Sequence, residues 1–333
     1  MRKELLWAGI IGITFGLIIG FGAWRVHSSI SHKNKEVTKS DSSIGNNQTK
    51  ITINKPENFD VVTATPGIIS GITKPATWII VSGESGDYFT KSMDDGTFSL
   101  NIDYSAGINN IKVTSVETSG SISSQQVLVV YSASFQNSLP EQNSSTNEAD
   151  LNKVVALKIA RAEKPPKAYI GTVTDIADST IQIRTSDSQI QQIATNKNDV
   201  AVVNIKGTSN KNVKLADVAI GDFIIAMGYV DGNNVLDAQR ILIADSPSET
   251  KISVSLAKVS ANGKKTISLT PVAGGDSIMA TPDKNTDIEI LSKGKMKSTA
   301  MANISVSDLV ILVSDITGTP AITRSMFDLG SGQ

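Results

Sequence analysis

The side chains able to do chemistry in this sequence are carboxylates, hydroxyls and lysines. The 333 residues include no cysteine and two histidines, His27 and His32, both in a polar stretch that follows an apolar segment. A thiol nucleophile, a Ser-His-Asp triad and a zinc site built on thiolate or imidazole therefore lack their parts. Two carboxylates flanking a bond suffice for glycoside hydrolysis. Here Asp87, Asp94, Asp95 and Asp231 stand in turn sequences, and Asp222 follows a glycine of an internal repeat. Nothing in their spacing pairs them across a cleft. No catalytic, cofactor-binding or metal-ligating residue is assigned, no cofactor is implied, and an enzyme is not expected.

Other groups suit binding. Asp94 and Asp95 with Asp87 would offer calcium a cluster of hard oxygens, whereas Asp94-Asp95-Gly96 also reads as a plain turn. Trp78 and Tyr88 would stack on a sugar, or fill the core of a sandwich. Lys293, Lys295 and Lys297 form a small basic cluster around Gly294. Single-strand binding needs a basic groove with several stacking aromatics, and residues 252–330 hold one aromatic, Phe327, in a chain of net charge −1. The lysines read as a solvated hairpin, and nucleic acid is not an expected partner.

The elements that would carry these groups begin with twenty uncharged positions, Leu5 to Trp24. As a helix rising 1.5 Å per residue they reach about 30 Å, the thickness of a bilayer's hydrocarbon core. Trp7 and Trp24 fall near the headgroup levels. The segment predicts an uncleaved transmembrane signal anchor within residues 1–26. A cleaved signal peptide is the alternative, although its apolar region is usually about 7–15 residues. Arg2 and Lys3 precede the segment and Arg25, Lys33, Lys35 and Lys39 follow it, so the positive-inside rule gives no orientation. The N-terminus is placed inside because the rest has the character of exported β-domains. Gly12, Gly16 and Gly20 share one helix face, where a second helix would approach closely. Residues 27–50 are a flexible polar linker.

From Ile51 the pattern becomes short alternating runs with turns about every ten residues: 51–53, 59–63, 67–71, 77–82, 86–91, 97–102, 108–116 and 125–131. This predicts a β-sandwich. Gly71-Ile72-Thr73-Lys74-Pro75, Asp94-Asp95-Gly96-Thr97-Phe98 and Gly107-Ile108-Asn109-Asn110-Ile111 resemble three signatures of bacterial Ig-like domains of the glucodextranase accessory type. The resemblance covers residues 51–133 and implies a fold more than a function, since such domains serve as spacers, glycan binders and adhesins. Residues 134–167 are a second linker, with a short helix expected over 148–163, capped by Asn147 and stopped by Pro165-Pro166.

The remainder repeats. Residues 170–183 match 253–269, Lys197–Val200 match Lys284–Ile288, Leu215–Ile225 match Met301–Ile311, and Arg240 matches Arg324. Each copy, 168–245 and 252–330, predicts five or six strands with one helical turn, rolled into a small closed or nearly closed barrel. Gly171-Thr172-Val173, Thr180-Ile181-Gln182-Ile183, Leu215-Ala216-Asp217-Val218, Gly221-Asp222-Phe223, Asp231-Gly232 and Ala238-Gln239-Arg240-Ile241 resemble an uncharacterised family of exported bacterial β-barrel domains. That family brings no activity. Gly221 is expected at positive φ, with Asp222 holding a backbone N–H, and Ser307, at the matching place, at negative φ or in an altered turn.

Together these features predict a mainly β chain: an anchor, an Ig-like sandwich and two tandem small barrels. The whole resembles uncharacterised membrane-anchored envelope proteins of bacteria. The expected role is that of an extracytoplasmic structural or interaction protein at the cell membrane. Its partners would be the bilayer, through residues 5–24, and an envelope protein or glycan. Glycan binding through the Ig-like domain is the alternative, and a carboxylate-only hydrolase a second one.

Overall fold

The computed structural model describes residues 50–138, 165–195, 200–207 and 210–331. The expected anchor at 5–24 and the expected helix at 148–163 lie outside these residues. The described part is mainly β. It contains short 3-10 turns but no α-helix, and none of its helices is long and apolar enough to cross a membrane.

Residues 50–131 form two facing antiparallel sheets. The smaller orders β1 (Thr52–Lys55), β3 (Gly67–Ile72) and β6 (Thr97–Ile102). The larger orders β2 (Val61–Val62), β8 (Ile122–Tyr131), β7 (Gly107–Val116), β4 (Trp78–Gly83) and β5 (Gly86–Lys91), with β2 joined in parallel. Alternation along each strand points one set of side chains inward. Ile79, Val81, Ile111, Val113, Val127 and Val129 thus meet Ile69, Phe98 and Ile102 in one core.

Two seven-stranded sheets follow. The first is built from β9 (Lys167–Ala177), β10 (Thr180–Arg184), β11 (Ile190–Thr195), β12 (Ala201–Asn204), β13 (Lys211–Val213), β14 (Phe223–Val230) and β15 (Val235–Ala244). The second uses β16 (Ile252–Asn262), β17 (Ile267–Pro271), β18 (Ile278–Ala280), β19 (Asp287–Ser292), β20 (Lys295–Ser298), β21 (Leu309–Asp315) and β22 (Ile322–Asp328). Their orders are β11-β10-β9-β14-β15-β12-β13 and β18-β17-β16-β21-β22-β19-β20, which is one order written twice. The first sheet closes on itself because β11 also pairs with β15, from Gln192 opposite Val235 to Thr195 opposite Ala238. The described strands of the second show no matching pair. Counted along the ladders, Pro320 falls where Val235 stands in the first copy. In the first copy the Val235 N–H donates to Asp231 Oδ1 at 2.9 Å, a bond proline cannot make.

The turn that feeds β14 recurs before β21, bond for bond. The Gly221 N–H donates to the Val173 carbonyl at 2.9 Å and the Ser307 N–H to that of Val259 at 2.9 Å. One Asp222 carboxylate oxygen accepts the Ala219 N–H at 2.9 Å, and one of Asp308 accepts the Ser305 N–H at 2.7 Å. Gly221 has φ +92°, as its sequence context predicts. Ser307 does not take the expected negative φ: it sits at +81° in the same turn. The bond to β16 and the Asp308 anchor hold the turn in place, and the serine bears the strain of a left-handed backbone. The repeat register also differs at one place. Arg240 lies opposite Met227 and Ser325 opposite Val313, so Arg240 corresponds to Ser325, and Arg324 to Gln239. The bulges fall at matching places in the two ladders, and the offset comes from a connection one residue shorter in the second copy.

Added bulk at Gly221 would meet open space, so the backbone alone sets the cost. Gly221→Val should destabilise the chain by about 1–3 kcal/mol, and Ser307→Gly should stabilise it by about 1 kcal/mol. Thermal unfolding followed by circular dichroism tests both. Two unchanged midpoints would show that the turn carries no strain.

Candidate functional site

The larger sheet of the sandwich is apolar on its inner face and at both ends of its outer one, with a polar strip that includes Ser82, Asn110, Lys112 and Gln126 between them. Its outer face carries Ile108, Leu128 and Val130 toward one side and Trp78, Ile80, Phe89 and Val116 toward the other. The first set packs on Ala168, Ile170, Ile225, Met227 and Leu242 of the first barrel. The second packs on Val254, Leu256, Ile311, Val313 and Phe327 of the second. These two barrel faces are equivalent. Ile225 lies opposite Ile170 and Leu242 in one copy, and Ile311 lies opposite Leu256 and Phe327 in the other. Phe89 and Phe327 meet with ring centroids 5.6 Å apart.

Polar contacts fix the geometry of each junction. At the first, the Val61 N–H donates to Pro166 O at 2.9 Å and the Ala168 N–H to Phe59 O at 2.8 Å. There the Lys167 ammonium bridges Glu57 at 2.8 Å and Asp60 at 2.7 Å. At the second, Lys112 Nζ donates to Ile252 O at 2.6 Å, and burial lowers its pKa. Beside it, Arg324 donates from Nε to Asp87 Oδ2 at 3.3 Å and from Nη2 to Gly83 O at 2.7 Å, while Ser325 Oγ donates to the same carboxylate at 2.6 Å. The Asp87 side chain is 1% exposed, and its Oδ1 has no hydrogen-bond partner. A cleft of about 360 Å³ opens here, rimmed by Glu84, Asp283, Asp287 and Asp315. The junction is thus a cation-attracting surface with one desolvated ion pair at its floor.

The residues singled out from the sequence are distributed differently from the calcium and sugar expectations. Asp87 is at this junction, whereas Asp94 and Asp95 are in the β5–β6 turn. Asp95 Oδ1 accepts the Thr97 N–H at 2.9 Å and its hydroxyl at 2.7 Å, bonds that hold its pKa below the usual carboxylate range. Among the described residues no group of three or more His, Cys, Asp or Glu is placed to hold a metal ion. Trp78 is half-buried against the second barrel, and Tyr88 packs into the sandwich core with its hydroxyl accepting the Asp103 N–H at 2.9 Å. Both rings are half-buried, each with one side engaged in packing. Lys293 and Gly294, both at positive φ, make a two-residue hairpin turn. Lys295 and Lys297 are exposed beyond it.

The sequence pattern gives no sign of a pair of buried carboxyls that the fold brings together. Asp328 is fully buried at the end of β22, facing Asp308. Asp328 Oδ1 accepts the Gly330 N–H at 2.8 Å, and its Oδ2 meets no donor. Burial above all, and then the Asp308 carboxylate, raises the Asp328 pKa. In the first copy the place of Asp328 is held by Ile243, and Asp222 instead accepts from the Lys206 ammonium at 2.7 Å. Burial works to raise the Asp222 carboxyl, but Lys206 and the Ala219 N–H outweigh it and hold it below the usual range. With both its members buried, the Asp308–Asp328 pair is closed to substrate.

No protein-family model and no curated protein matches the chain. Among solved structures, one reported for host cell surface retention of a bacterial ice-binding adhesin is 12% identical over 86% of this chain and 98% of that one, at TM-score 0.19. A tetra-tandem repeat from the extending region of a large adhesion protein is 13% identical over 86% and 74%, at TM-score 0.23. A calcium-stabilised adhesin of an Antarctic bacterium is 12% identical over 87% and 74%, at TM-score 0.18. At these scores the likeness supports no statement about fold or activity.

Arg324→Met should cost about 3 kcal/mol at neutral pH, because it strands a buried carboxylate. The double variant with Asp87→Asn should lose less than the two single changes together, as urea unfolding would measure; strict additivity would mean that the pair is uncoupled. The raised pKa of Asp328 gives stability present below the unfolded value and lost as pH rises through the folded one. Asp328→Asn should remove that loss and raise the thermal midpoint at pH 7, leaving it unchanged near pH 3. A midpoint that falls at both pH values would refute the assignment.

Proposed function

We propose that the chain is a membrane-anchored extracytoplasmic structural or interaction protein. The interlocking of its β-modules is the observation that carries this reading. Three cores are joined through apolar faces and buried polar contacts into one body. Such a body suits the presentation of a fixed surface. Interfaces of this kind hold domains at set angles, where bare linkers would leave them independent.

The anchor follows from Leu5–Trp24 and the reach from residues 27–50, which at about 5–6 Å × √n span on the order of 25–30 Å. The bulk would then stand clear of the headgroups on the outer side of the membrane. The resemblance to exported Ig-like and barrel domains supports the same side. An envelope protein or glycan would be met by the body's open surfaces, and the assigned chemistry is contact without turnover.

A chain tagged at its C-terminus and expressed in a bacterial host tests this directly. It should stay in the membrane fraction after alkaline wash, and its tag should be cut by protease added to spheroplasts. Intact mass should include Leu5–Trp24. A protected tag would reverse the orientation, and a mature N-terminus near residue 23 would make the segment a cleaved signal.

A further inference from the structure

The two barrels share their strand order but differ at one mouth. In each, the ladder fixes the second residue past the bulge of the first strand. Ile176 lies opposite Ile181 in the first copy, and Asn262 lies opposite Ile267 in the second. In the second barrel Asn262 plugs the mouth, its Nδ2 donating to Met301 O at 3.0 Å and to Ile304 O at 2.7 Å in the 3-10 turn before β21. The matching turn of the first barrel is Leu215–Asp217. There the Leu215 carbonyl accepts the Val218 N–H at 3.2 Å, as Met301 O accepts that of Ile304, but Ile176, a residue 41% exposed, adds no side-chain donor to it or to the Val218 carbonyl.

The mouth is open as a result. A cavity of about 610 Å³ lies between Ile176 and the turn, floored by Ile181, Val200, Val213 and Leu215. Asp178 and Lys214 stand on its rim. The volume is within the roughly 300–1,000 Å³ of small-molecule pockets, and the mix of apolar wall and few polar groups is theirs too. We propose that this mouth binds a neutral small molecule with an apolar body and one hydrogen-bond donor. The body would cover the isoleucine and valine wall. The donor would take the carbonyl oxygens that the asparagine amide satisfies in the sister barrel. Opposite charges on the rim leave no net field to select an ion.

The sister barrel supplies the controls. 1-Naphthol, which has an apolar double ring and one hydroxyl, serves as the probe, titrated against the whole chain by fluorescence and by proton–nitrogen NMR. It should bind at one site and shift the amides of residues 176–181 and 213–216. Ile176→Asn should install the plug and weaken binding by about tenfold or more, the worth of about 1.4 kcal/mol. Asn262→Ile should open the second mouth and add a second site. No saturable binding up to about 1 mM, or binding that Ile176→Asn leaves intact in a folded variant, would overturn the proposal. If Ile176→Asn does not fold, the second site in Asn262→Ile decides alone, and its absence counts against the mouth.

Discussion

Burial of the larger sandwich sheet on its inner face and at both ends of its outer face is the constraint on which the rest of the structure depends. A sheet with one wet face alternates apolar and polar side chains, whereas one covered on both sides carries unbroken apolar runs. β4 opens Trp78-Ile79-Ile80-Val81 and β8 closes Val127-Leu128-Val129-Val130, and both runs are paired through β7. Their inner members make the sandwich core, and their outer members need partners. At about 25 cal/mol per Å², an outer face of this size left in water would invite association with other chains. The two barrels cover it, and each does so with the same strands.

Much of this was legible in the sequence. The alternation from Ile51 onward located all eight sandwich strands, most of them within two residues, because half of each strand faces a core. The Leu-Ala-Asp-Val and Gly-Asp pattern located the turn before β14, because positive φ and a side-chain acceptor are needed there together. The interlock was also written in the chain, as the runs Trp78–Val81 and Val127–Val130. Period-two matching counts such runs as strands without asking what meets their second face. The pair Asp87–Arg324 spans 237 residues and had no local signature. Asp308–Asp328 was hidden for another reason: Asp308 reads alone as the polar residue of a turn that enters a strand, and Asp328 as the one that ends a strand. The cavity at Ile176 could be found only by setting one copy against the other with the bulges counted.

The two copies show which parts of the unit bear change. The turn keeps its bonds when Gly221 becomes Ser307, since two backbone bonds to the first strand and one carboxylate outvote a single strained φ. Closure of the sheet, made by β11 and β15 in the first copy, has no counterpart among the described strands of the second, and the strand order is the same in both. An ion pair, Asp222–Lys206, partly open to solvent, becomes a buried carboxyl pair, Asp308–Asp328. Each change alters one contact and leaves the strand order alone, because the order is set by the long ladders of β9, β14 and β15 and their counterparts.

The docking face and the mouth sit at opposite ends of β9. Ala168 and Ile170 belong to the face and Ile176 to the mouth, about 20–25 Å apart at the usual rise per strand residue. Changes at such separation add with little coupling when they share no partner. The face of a barrel can therefore stay fixed by its fit to the sandwich while the mouth varies freely. In the second copy the face is kept and the mouth is plugged by Asn262, so its outward role is the junction with Asp87. In the first copy the face is kept and the mouth is open. A duplicated unit that is pinned at one end and free at the other is a scaffold on which a binding site can be gained or lost without refolding, and the contrast of Ile176 with Asn262 is where this chain shows it.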